Sequence, residues 1–269
     1  MKRSSTQPIG IFDSGIGGLT IAHAIVKQLP NENMVYFGDT AHLPYGDKSA
    51  ATIQAYSVKI AHLLLQQNCK LIMIACSSAS TAAYELVKEY VGSKAIVMNV
   101  VDPTIQWLHK QYANHSIGLI GTRQTVHSNV YKKKIDALNC GIQLTSRATN
   151  LLASAIEEFG NNSVTRSLIE EYLSYPDFKH ISALVLACTH YPIVKPSIAD
   201  FFGDKVAIID PSEIVAHAVK QRLMEAHLLN THQDGSKHFY VSDYTESFAS
   251  GTKRFFQEEI LLEHYPLWE

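Results

Sequence analysis

Two stretches, IGIFDS at residues 9–14 and IGLIGT at residues 117–122, are near copies placed 108 positions apart. Each is a short apolar run that ends on a small hydroxyl residue, the pattern of a buried strand running into a turn. Two further pairs keep the same order. LIMIACS (71–77) matches LVLACT (184–189), with Cys76 and Cys188 separated by 112 positions, and Asp102-Pro103 matches Asp210-Pro211, separated by 108. Three pairs at nearly one offset predict a duplicated α/β unit with a boundary near Asp102, leaving the chain after Asp210 outside the repeat.

The segments around these pairs fit that reading. Strand-like runs at 9–12, 34–37, 71–75, 95–101, 117–120, 183–187 and 206–209 alternate with helical patterns at 20–29, 51–67, 80–90, 153–159, 163–173 and 211–226. Strand–helix alternation predicts an α/β fold with mainly parallel sheets. Ligands in such sheets bind beyond the carboxyl ends of the strands, so the residues after each strand are the ones to read for function. Pseudo-symmetric halves would bring equivalent strand ends, and therefore Cys76 and Cys188, to opposite sides of one ligand.

Composition narrows the class. The chain has 269 residues, 46% hydrophobic and 18% charged, with 23 basic against 25 acidic side chains and a formal net charge of −2. This length favours two domains. The balanced charge argues against nucleic acid or a membrane surface as partner, since both select a concentrated positive field. The first residues show no signal-peptide pattern and no run is long enough to span a bilayer, so the expected location is cytoplasmic. Cys69, Cys76, Cys140 and Cys188 are dispersed with no CxxC pair, which suits reduced thiols. Cys69 and Cys140 read as buried small hydrophobes. The 13 histidines include no HExxH and no paired Cys/His spacing, so no metal site is expected.

The strand ends describe a small polar ligand. Asp13-Ser14-Gly15-Ile16-Gly17-Gly18 is a glycine-rich strand-to-helix turn that can present N–H groups to an anion, yet it matches neither GxGxxG nor the P-loop. Ser77, Ser78, Thr122, Thr125 and Thr189 add hydroxyls at other strand ends, and Arg123 is the single basic residue in these segments. Neutral donors suit a small zwitterion with carboxylates better than a polyphosphate. Cys76 and Cys188 each follow an alanine and precede hydroxyl residues where a helix should start, a placement expected to lower a thiol pKa. Asp102 and Asp210, before proline, read as turn or cap formers.

FDSGIGGLT (12–20), GDTAHLPYG (38–46), ACSSAS (75–80), LIGTRQT (119–125) and LACTHYP (186–192) together resemble the glutamate racemases of the cofactor-independent aspartate/glutamate racemase superfamily, and HFYVSDYTESFASGTKRFF (238–256) resembles that family's closing strand and helix. The resemblance implies two pseudo-symmetric doubly wound lobes, 1–101 and 102–209, with the active site between them and residues 210–269 returning to the first lobe. It implies L- and D-glutamate as substrates, no cofactor, and a role in peptidoglycan synthesis. The family's catalytic cysteines map onto Cys76, for the proton of the D-enantiomer, and Cys188, for that of the L-enantiomer. Asp13 and His190 resemble the groups that assist them.

Substrate contacts map onto Asp13, Ser14, Pro44, Tyr45, Gly46, Ser77, Ser78, Thr122 and Thr189, with Thr125 as a further candidate. Asp39 and Glu157 align with auxiliary acids. Homodimers are common in the family, although no pattern here selects an interface. One departure bears on specificity: Ser77-Ser78 stands where the family usually has Asn-Thr, and losing the amide removes a group that both donates and accepts. Racemisation of another amino acid such as aspartate, a related two-cysteine isomerase or decarboxylase, and a non-catalytic amino-acid receptor are the competing readings.

Overall fold

The computed structural model describes residues 3–232 and 235–269. In the first half β1 (Ile9–Asp13), β2 (Met34–Gly38), β3 (Leu71–Ile74) and β4 (Ile96–Asn99) alternate with α1 (Leu19–Gln28), α2 (Ala50–Gln66) and α3 (Ser77–Val91). Helix α4 (Val101–Tyr112) leads to a second set, β5 (Ser116–Gly121), β6 (Gln143–Ala148), β7 (Ala183–Ala187) and β8 (Ala207–Ile209). These are joined through α5 (Arg123–His127), α6 (Val130–Ala137), α7 (Leu152–Phe159), α8 (Ser163–Leu173) and α9 (Lys195–Phe202). Helix α10 (Pro211–Glu225) then precedes β9 (Lys237–Val241), α11 (Glu246–Phe256) and β10 (Leu262–His264). No helix among the described residues is long and apolar enough to cross a membrane.

The repeat seen in the sequence is a repeat of topology. One sheet runs β10-β9-β2-β1-β3-β4 and the other β6-β5-β7-β8, and every strand pair is parallel. Within each half the strands therefore lie second, first, third, fourth. IGIFDS and IGLIGT form β1 and β5, and LIMIACS and LVLACT form β3 and β7, the neighbouring central strands. Successive connections leave β1 and β5 in opposite directions. Each sheet thus has its switch point, the place where a crevice opens, between the strand that ends at Asp13 or Gly121 and the strand that leads to Cys76 or Cys188. Strands β9 and β10 extend the first sheet on the β2 side.

Burial explains why these runs became strands. All residues of β1, β2, β3 and β7 are buried, as both faces of a parallel sheet are covered by helices. One continuous apolar cluster joins α1, α4 and α10 to strands of both sheets, including Ile11, Met73, Ile117 and Val185. Separate clusters fill the outer faces, under α2 and α3 for the first sheet and under α7, α8 and α9 for the second.

Four features differ from expectation. The run 95–101 was expected as strand to its end, but Asn99 Oδ1 accepts the N–H groups of Val101 (2.8 Å) and Asp102 (2.9 Å) and starts α4 there. Asp102 consequently lies inside the first helical turn, bound by Asn99 Nδ2 and Lys134, whereas Asp210 does cap α10 through the Ser212 N–H. Strand β6 is a half-buried, polar edge strand, which leaves no apolar run to read. Cys69 is buried as expected, but Cys140 is only half-buried.

A buried ion pair ties the β3 approach to the segment after α10. Lys70 is fully buried, its Nζ 2.5 Å from Glu32 Oε2 and 2.9 Å from the Leu228 carbonyl, and Glu32 Oε1 accepts the Asn230 N–H at 2.8 Å. Removing one member of such a pair strands the other in low dielectric. Lys70→Met is expected to lower unfolding stability by about 3–5 kcal/mol, measured by urea denaturation; a loss below 1 kcal/mol would contradict the pairing.

Candidate active site

The strand ends converge. Ser14 after β1, the Pro44-Tyr45-Gly46 turn, Cys76-Ser77-Ser78 after β3, Thr122 after β5 and Cys188-Thr189-His190 after β7 line one cavity of about 40 Å³, closed on the α7 side by Ala153. Every site residue expected from the sequence is on this wall except Asp13. Asp13 lies beneath it, fully buried, accepting the Gly15 N–H at 3.0 Å and the Thr189 hydroxyl at 3.4 Å. Thr125 is also behind the wall, within hydrogen-bond distance of the Thr122 hydroxyl. Ala153 carries no polar atom on its side chain, and the sequence offered no signal for it.

Both cysteines reach the cavity, but their surroundings differ. Cys76 is the N-cap of α3, its Sγ accepting the Ala79 N–H at 3.4 Å and lying 3.7 Å from the Ser14 hydroxyl. The expectation that the helix terminus would lower its pKa is overturned. Burial first, then the Asp13 carboxylate, outweigh those hydrogen bonds and push the thiol up to about 12. Cys76 is therefore held protonated at neutral pH. Cys188, unlike Cys76, begins no α-helix; a 3₁₀ turn at Tyr191–Val194 separates it from α9.

Cys188 instead has His190. The imidazole Nδ1 lies 3.9 Å from the sulfur and Nε2 lies 2.7 Å from Glu157 Oε2 on α7. Burial alone would lower the His190 pKa, but the hydrogen bonds to Cys188 and Glu157 more than offset it and raise it to about 10. The two ring nitrogens of His190 thus face a sulfur and a carboxylate, partners that favour the protonated imidazole. Burial pushes the Asp13 carboxyl upward, against the opposing pull of His190 and the Gly15 and Gly18 N–H groups. Asp39 is outside the cavity but touches it indirectly, accepting the Tyr45 O–H at 2.6 Å.

The two halves meet across the site. Ser78 and Thr122 hydroxyls are 2.8 Å apart, and the Thr20 hydroxyl donates to the Thr189 carbonyl at 3.0 Å. A Cβ on Gly46 would come within 2.8 Å of Thr122, and one on Gly17 would overlap the His190 ring. Both glycines exist because the opposite half approaches too closely for a side chain. Gly17→Ala is expected to displace His190 and destabilise the closed arrangement by about 1–3 kcal/mol, seen as a lower Tm together with reduced turnover. Unchanged values of both would show that the halves are held further apart.

Sequence and fold both resemble those of known proteins. A glutamate racemase of Syntrophus aciditrophicus is 39% identical over 259 residues, covering 95% of each chain. The crystal structure of glutamate racemase from Francisella tularensis in complex with D-glutamate superposes with a TM-score of 0.91 at 40% identity, covering 98% of this chain and 99% of that one. Glutamate racemase from Thermus thermophilus in complex with β-chloro-D-alanine gives 0.87 at 33% identity, covering 98% of each. Residues 9–219, which carry all the strand ends around the cavity, match the Asp/Glu/hydantoin racemase family, and the chain belongs to that family.

Proposed function

We propose that this protein interconverts L- and D-glutamate by proton transfer at the α-carbon between two cysteines, without a cofactor, supplying D-glutamate for peptidoglycan. The observation that carries the reading is that Cys76 and Cys188, at equivalent strand ends of two pseudo-symmetric sheets, line a single cavity. An α-proton is weakly acidic, and a single base tends to return it to the face it came from. Two thiols on opposite faces solve this, one removing the proton while the other delivers a new one. From L-glutamate, Cys188 takes the proton with the His190 cation beside its sulfur, and Cys76, kept as a thiol, donates from the other side. The reverse reaction exchanges these roles.

Neutral donors hold the substrate. The first N–H groups of α3, at Ser77 and Ser78, have no intrahelical acceptor, and with the hydroxyls of Ser14, Ser78, Thr122 and Thr189 they suit carboxylates that gain charge in the transition state. A cavity of about 40 Å³ holds only about three waters, so glutamate enters when the halves part. The moving units we assign are residues 1–101 together with 210–269, and 102–209. An outer pocket of about 190 Å³ shares Ser14, Pro44, Ala153 and His190 with the cavity and forms the approach.

The test is incubation of dialysed protein with L-glutamate in deuterated water, read by chiral chromatography and mass spectrometry. D-glutamate carrying deuterium at Cα, formed without added pyridoxal phosphate, is the expected result. Turnover of aspartate and not glutamate would reassign the substrate, and absence of exchange with either would overturn the reading.

A further inference from the structure

Asp39 is a fully buried carboxylate one residue beyond β2. Two of its partners come from its own loop, the Tyr45 O–H at 2.6 Å to Oδ2 and His42 Nδ1 at 3.1 Å to Oδ1. The other two come from the segment added after α10. Ser242, just past β9, donates its hydroxyl to Oδ1 at 2.8 Å, and Trp268, past β10, donates its indole Nε1–H to the same oxygen at 2.8 Å. Trp268 is wedged as well as bonded. Its ring meets His42 edge-on at 4.5 Å and Tyr56 at 5.2 Å, and Lys59 Nζ lies 4.5 Å over its face.

These contacts lead to the cavity. Tyr45 is only 1% exposed and lines the cavity between Pro44 and Gly46, so its orientation follows from where Asp39 holds its hydroxyl. A buried carboxylate keeps a unique position only while its oxygens are matched by donors. We propose that Trp268 is a positioning residue for substrate binding, acting through Asp39 on Tyr45 and so coupling the segment after β10 to the Pro44-Tyr45-Gly46 turn. The inference rests on the glutamate racemase reading above and extends it to a side chain that does not touch the cavity.

Trp268→Phe keeps the aromatic packing and removes only the N–H donor. The expected result is a rise of about tenfold in KM for glutamate, the size of one hydrogen bond to a charged group, with kcat within about twofold. Ser242→Ala, which removes the other donor from the same segment, should show the same signature. In a Tyr45→Phe background, where Asp39 no longer has the phenol to hold, Trp268→Phe should add less than about twofold, because the two residues act along one chain. An unmoved KM in Trp268→Phe, a full tenfold penalty persisting in the Tyr45→Phe background, or a lowered Tm with both kinetic constants unchanged would each overturn the inference. Wild-type protein that fails to racemise glutamate would overturn the functional reading itself, which separates the two failures.

Discussion

Cys76→Ser and Cys188→Ser are each expected to lower kcat for racemisation by about a hundredfold to ten-thousandfold, the range that general acid–base groups contribute. A serine hydroxyl occupies nearly the same place in the cavity but is a far weaker acid and, as its anion, far less accessible. Packing should change little, so Tm should stay close to that of the wild type while turnover collapses. Measurement in both directions by circular dichroism, with thermal melts alongside, checks this. Near-normal turnover in either variant would remove the two-thiol mechanism, because a cavity lined by both sulfurs leaves no other facing pair to take over.

His190 and Glu157 set the second large effect. His190 is raised to about 10 by its hydrogen bonds to Cys188 and Glu157, against the burial that would lower it. Glu157→Gln removes the carboxylate charge 2.7 Å from Nε2, so the proton should leave His190 about 1–3 units earlier. The alkaline limb of kcat/KM should move to lower pH by that amount, and His190→Asn should cut turnover from L-glutamate more than Glu157→Gln does. The stability consequence has a definite sign. A folded-state pKa of about 10, above the ordinary 6.5, contributes stability that is complete below about pH 6.5 and disappears as pH rises through about 10. The stability difference between wild type and His190→Asn should therefore shrink across that window. A pH profile unaffected by Glu157→Gln would show that His190 does not take its charge from α7.

The contrast between the two thiols follows from these neighbours. A helix start after β3 was visible in the hydroxyl residues that follow Cys76, and the Ala79 N–H does bond to its sulfur. The sign of the pKa shift was not visible. It depends first on the desolvation that burial brings and then on Asp13, which is distant in sequence. Glu157 shows the same limit from the other side. The family resemblance singled out Glu157 in the stretch ATNLLASAIEEF, but its partner was not legible there, and it is the placement of α7 that brings this carboxylate to His190.

Sequence by itself determined the duplicated α/β unit and the strand ends, with their two thiols, that line the cavity. Those properties are local: an apolar run of strand length followed by glycine or a hydroxyl reads the same wherever the chain later goes. Only the tertiary structure decided that the Asp13 carboxylate lies under the cavity wall, that His190 stands between Cys188 and Glu157, and that Trp268 reaches Asp39 across 229 positions of chain. Each of these is a matter of distance and dielectric between groups brought together by packing, and neither quantity is written in the spacing of residues along the chain.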